Sequence, residues 1–117
     1  MSIPTREPYL HINIPAEVDA LHQGPEWAAG RNAKTLVKYD DFRVVLSALA
    51  AGNRIAEHRT EGRISIQGRA GLVRVHAEGG TFDLAPGMLL ALDRGVTHDV
   101  EAVDGDSAFL LTIAWPR

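Results

Sequence analysis

Five histidines, fifteen acidic residues and no cysteine bound the chemistry open to this chain of 117 residues. Without thiols, disulfide staples, thiolate zinc sites and cysteine nucleophiles are all excluded, so any metal would need imidazole and oxygen donors. Two histidines stand out by position. His58 lies in His58-Arg59-Thr60, downstream of Gly52, and His98 opens the run His98-Asp99-Val100-Glu101-Ala102. In that run a period of two sets His98 with Val100 and Ala102, and sends Asp99 and Glu101 to the opposite face. An imidazole on the apolar, inward face needs a partner, because a buried polar group left unsatisfied costs about 1–3 kcal/mol. In Val73-Arg74-Val75-His76 the same alternation turns the valines inward and leaves His76 with Arg74 in solvent. His11 and His22 have no ligating spacing and read as surface residues. Ser65 and Ser107 belong to no nucleophile motif, and no phosphate-cradling loop is present.

The elements that must hold these residues are short. The first thirty or so residues carry four of the six prolines, Pro4, Pro8, Pro15 and Pro25, and form an arm. Pro15 to Gln23 is expected to make a short helix, with Pro at its start, Glu17 and Asp19 near its positive end and Gly24 closing it. Trp27, a large aromatic among small residues, is expected to plug the arm onto the body of the fold. From Lys34 the chain becomes a series of strand-like runs parted by glycine turns: Thr35 to Tyr39, Phe42 to Ala50, Ile55 to Thr60, Arg63 to Gln67, Leu72 to His76, Thr81 to Leu84, Met88 to Leu92, His98 to Val103 and Ala108 to Trp115. Turns are expected at 52–53, 68–71, 77–80, 85–87, 93–95 and 104–106. Ile64 and Ile66 should be core, with Ser65 and Gln67 on the other face, and the continuously apolar Met88 to Leu92 reads as covered on both faces. Arg63 is placed to pair with Glu61 or Asp99 at the rim. With no long amphipathic helix, the pattern is all-β, a sandwich or barrel, with residues 1–33 as arm and 34–117 as barrel.

Two motifs resemble those of the cupin superfamily, whose members fold as a double-stranded β-helix, a jelly-roll barrel around one cavity. The first cupin motif runs glycine, five residues, H-x-H, three or four residues, glutamate, six residues, glycine; Gly52, His58-Arg59-Thr60, Ile64 and Gly71 sit at those spacings. The second, a glycine followed by proline and then histidine, is matched in position by Gly87, Asp93, Gly95 and His98. The stretch His58 to Gln67, followed later by His98-Asp99-Val100-Glu101-Ala102, is similar to short bacterial cupins with H-x-T-x-G-R-I-S-x-Q and H-D-V-E-A. In metal-binding cupins the two histidines and glutamate of the first motif and the histidine of the second hold iron, manganese, nickel or zinc. Here Thr60 replaces the second histidine and Ile64 the glutamate, leaving His58 and His98.

Three readings of that pair follow. The histidines line a small-molecule pocket, with Thr60, and orient a polar or acidic ligand there. Alternatively they bind a divalent metal, with water or a carboxylate such as Glu57 or Glu61 completing the shell of an oxygenase or isomerase. In the third reading they are satisfied within the wall of a non-catalytic structural or interaction domain. The balance of 12 basic against 15 acidic residues, a formal charge of −3, and the lack of any run of like charge argue against nucleic acid. Absence of a secretory pattern or a spanning apolar stretch points to a cytoplasmic protein with no membrane partner. Apolar residues on both faces of Phe42 to Ala50 and Phe109 to Trp115 point to a homodimer.

Overall fold

Alternating apolar residues across nine short runs fold into seven antiparallel strands, two of them long enough to serve two sheets each. The structure is a computed structural model that describes residues 8–116, apart from the side chains of Glu57 and His58. In chain order the elements are helix α1 (Ile14–Leu21), a 3-10 turn (Pro25–Ala29), and strands β1 (Arg31–Lys38), β2 (Phe42–Leu49), β3 (Arg54–His58), β4 (Arg63–Ala77), β5 (Gly80–Leu84), β6 (Leu89–Leu92) and β7 (His98–Ala114).

Strands β4 and β7 pair along nearly their whole lengths. The second half of β7, from Ser107, pairs with β2, which pairs in turn with β1, and the first half of β4 pairs with β6. The first half of β7 pairs with β3, and the second half of β4 with β5. Two sheets therefore share their central strands, as in a jelly roll, and their inner faces enclose a core of Leu49, Ile64, Ile66, Val73, Val75, Leu84, Val100, Ala102 and Phe109. Ile64 and Ile66 are core residues as expected, at 5% and 0% exposure.

The turns expected at 68–71 and 104–106 are not turns. Each glycine cluster lies within a continuous strand, and register shifts between Gly68 and Val73 bend β4 from one sheet into the other. The apolar run at Met88 to Leu92 is not covered on both faces either: β6 is a short outer strand, and Leu89 is 58% exposed.

Helix α1 opens on Asn13, whose Oδ1 accepts the N–H of Ala16 at 3.0 Å. It closes on His22, ahead of Gly24, which instead opens the 3-10 turn with φ of 90°. Val18 and Leu21 bury against Leu46, Ala48 and Ala108 on the outer face of the β1-β2-β7 sheet, and Trp27 packs there as a plug. His22 is half-buried with its ring edge-on to Trp27 at 4.6 Å, not a free surface residue. The first strand starts at Arg31, ahead of Lys34, because Arg31, Asn32 and Ala33 pair with Leu49, Ala48 and Ser47. Among the described residues no helix is long and apolar enough to cross a membrane.

Candidate functional site

His98 begins β7, and its imidazole is 2% exposed. Alternation places it inward with Val100 and Ala102, which are 2% and 1% exposed. Its Nδ1 lies 3.0 Å from the carbonyl oxygen of Val96. A carbonyl only accepts, so Nδ1 carries the proton, and Nε2 is the nitrogen whose role changes with ring charge.

Strand β3 brings the other motif histidine to the same place. Ile55 is the partner of Val100 and His58 that of His98, so three steps on β3 span two on β7, a bulge that sets the two histidines opposite each other on the ladder. The side chain of His58 lies outside the described residues. Thr60 sits just past β3, and its hydroxyl accepts the N–H of Gly62 at 3.3 Å while its carbonyl accepts the N–H of Gly95 at 3.0 Å. It joins the β3-β4 and β6-β7 loops beside His98 and is absent from the lining of the cavity described next.

Between the sheets lies a cavity of about 130 Å³, lined by Ser47 of β2, Ile55 of β3, Ile66 of β4, and His98, Val100, Phe109 and Leu111 of β7. Among the described residues, His98 is the one titratable side chain in that lining. Sequence reasoning located it but missed Ser47; the signal was a lone hydroxyl on the inward face between Val45 and Leu49.

The described donors do not fit a four-ligand metal site. Ile64, at the glutamate position, is packed in the core, Thr60 is engaged with Gly62, and no group of three His, Cys, Asp or Glu among the described residues is placed to hold an ion.

The outward faces of the same strands carry a separate charged ladder. Asp99 points away from the cavity as expected, yet it is 3% exposed, because Arg54 of β3 lies against it as an ion pair. His76 is not simply solvated: Nε2 meets Glu101 at 2.6 Å and Nδ1 meets Thr81 at 3.3 Å. Arg74 binds Asp83 through two hydrogen bonds, of 2.7 and 3.1 Å, which hold that carboxyl below its ordinary range. Arg63 pairs with Asp93 at 3.0 Å, not with Glu61 or Asp99. The N–H of Arg94 and, after it, the Arg63 guanidinium lower the Asp93 pKa.

Residues 43–116 match the AraC-like ligand-binding domain, a cupin-type domain. The chain belongs to this family. The AraC-like domain is also similar to solved cupin structures. KdgF from a Halomonas species superimposes with a TM-score of 0.69 and 21% identity over 76% of this chain and 82% of that one. A cupin superfamily protein from Desulfitobacterium hafniense gives 0.69 and 19%, over 74% and 78%. The cupin domain of an XRE-family transcriptional regulator from Enterobacter cloacae gives 0.68 and 19%, over 75% and 99%. At these identities the likeness establishes the fold. No curated protein matches the sequence.

Proposed function

We propose that this domain binds one small polar or acidic molecule in the cavity between its sheets, beside His98 and His58. The observation that carries the reading is the buried imidazole of His98, anchored through Nδ1 to Val96, in a lining whose other described residues are apolar save one hydroxyl, Ser47. Such a lining gives affinity through its walls and orientation through its few polar groups. The match to a ligand-binding domain family supports the same reading. His58, opposite on the ladder, is the second residue assigned to the site, and Thr60 shapes the loop beside it.

A thermal-shift screen tests this directly. A ligand present at a hundredfold excess over its Kd stabilises the native state by about 2.7 kcal/mol. That stabilisation should vanish in His98→Ala, and an undiminished shift in the variant would remove the reading.

The ladder pairing of His58 with His98 favours one second reading, a metal-dependent oxygenase or isomerase. Stoichiometric iron, manganese, nickel or zinc in protein purified without a histidine tag, lost in His58→Ala, would establish it. A second copy of the chain is the proposed cover for exposed apolar side chains such as Phe42, Met88 and Leu89, which are 38%, 51% and 58% exposed. Light scattering at micromolar concentration should then give twice the monomer mass.

A further inference from the structure

Outside the cavity, where the β1-β2 pair passes β3, lies a groove of about 280 Å³ lined by Arg31, Asn32 and Ala33 of β1, Ser47, Ala48 and Leu49 of β2, and Ile55 of β3. Ser47 and Ile55 line the inner cavity as well, so groove and cavity meet at a wall of two side chains. We infer that the two form one elongated site for an apolar monocarboxylate, its acid group held by Arg31 at the groove mouth and its body running past Ser47 toward His98. The inference rests on the reading of the cavity as a ligand site and adds the ligand's class and direction.

Four observations lead to that chemistry. Arg31 is an exposed cation on the lining and forms no ion pair among the described residues. The neighbouring polar residue is occupied: Asn32 Nδ2 donates to the Leu21 carbonyl at 3.3 Å and Oδ1 accepts the N–H of Ala33 at 2.9 Å. Asn32 thus ties α1 to β1 and holds the groove wall in place without addressing a ligand. The remaining walls, Ala33, Ala48, Leu49 and Ile55, are apolar, and the Ser47 hydroxyl, at a residue only 7% exposed, is the one polar group where the compartments meet.

The alternatives fit less well. A sugar would leave most of its hydroxyls without partners along apolar walls, each at a cost. A dicarboxylate would carry a second charge into the interior, and an ammonium would be repelled at the mouth. A guanidinium with open donors suits one carboxylate, which it can grip with two parallel hydrogen bonds.

Calorimetric titration with octanoate and 1-octanol, on the wild type, Arg31→Gln and Val100→Phe, tests both levels. Octanoate should bind the wild type, weaken on the order of tenfold in Arg31→Gln, and weaken again in Val100→Phe, whose larger ring fills the inner cavity. Octanol affinity should be indifferent to Arg31→Gln. Failure of octanoate to bind, or equal octanoate affinity in Arg31→Gln and wild type, overturns the carboxylate subsite and leaves the cavity reading standing. Sensitivity to Arg31→Gln with none to Val100→Phe overturns the shared site, while the cavity reading is judged separately by the thermal-shift screen on His98→Ala. Should Val100→Phe not fold, the His98 ring resonances of the wild type decide the second point: they shift with octanoate if its tail enters the cavity and stay fixed if it does not.

Discussion

His98 and Asp99 are neighbours on β7, both nearly fully buried, and opposite in what burial asks of them. His98 satisfies one nitrogen on the Val96 carbonyl and keeps an apolar surrounding. Asp99 is a carboxylate held by Arg54, and its Oδ1 is buried without a hydrogen-bond partner. Removing the guanidinium leaves a buried charge without its ion-pair partner, so Arg54→Ala should cost about 2 kcal/mol. Arg63→Ala should cost clearly less, because its partner Asp93 is 73% exposed and solvated without it. Urea denaturation of the two variants checks the order, and equal losses would refute it. Asp83 supplies the pH-dependent counterpart. Its pKa is lowered in the folded state, first by the hydrogen bond from Arg74, from an ordinary value of 3.8. A depressed carboxylate adds stability above that ordinary value and loses it as pH falls through the folded pKa. Arg74→Gln should therefore raise the Asp83 midpoint in a carboxyl NMR titration, with the stability difference from wild type full above about pH 4 and lost as pH falls on through the lowered folded value. The inward place of His98 was legible because alternation with Val100 and Ala102 is local. The burial of Asp99 was not, since it comes with the side chain of Arg54 on the neighbouring strand, a contact between residues 45 positions apart in sequence.

At the scale of elements, the glycines at 68–71 and 104–106 looked like turns because a bend within a strand and a bend between strands need the same residue. What separates them is the partner strand, which sequence spacing does not show. Strands β4 and β7 bend together, and Ser107 stitches the bends: its hydroxyl accepts the Leu72 N–H and approaches the carbonyls of Leu72 and Gly105, each at 3.2 Å. Gly71 lies in the left-handed region with φ of 62°, and a Cβ there would sit 2.4 Å from Ser107 Oγ and 2.5 Å from the Asp106 carbonyl oxygen. Gly79, in the β4-β5 hairpin, also has positive φ, 83°, but a Cβ there would meet nothing within 4 Å. Alanine at Gly79 then bears only the left-handed penalty, about 1 kcal/mol, whereas alanine at Gly71 adds a collision with the stitch, for a total of about 3 kcal/mol. Denaturant midpoints of Gly71→Ala and Gly79→Ala measure the difference; comparable values would mean that the bend does not depend on close approach of the two strands. The hairpin itself was readable from Ala77-Glu78-Gly79-Gly80, whose loop chemistry is purely local.

At the scale of the whole molecule, the β1-β2-β7 sheet carries a core on each side, and the two border the site unequally, the arm core only through Ala48. Leu46 and Leu49 both stand on β2 at 0% exposure, three residues apart, and alternation sends them to opposite faces. Leu46 packs under α1 and Trp27, while Leu49 belongs to the barrel core and lines the groove beside Arg31. The arm was legible as an arm from its prolines, but its helix is a lid on a second apolar face, and it reaches the groove through Asn32 and the Leu21 carbonyl. Truncating either leucine to alanine should cost about 2–5 kcal/mol, the range for a buried side chain whose surroundings close only partly. Their effects on binding should diverge. Leu49→Ala enlarges the groove and should weaken octanoate, whereas Leu46→Ala opens a void on the far side of the sheet and should leave affinity within about twofold wherever the variant is folded, since distant independent sites add. Titration below each variant's melting transition separates stability from site geometry. Equal losses of affinity in the two variants would mean that the arm core and the barrel core respond as one body, with the ligand sensing the helix through the sheet.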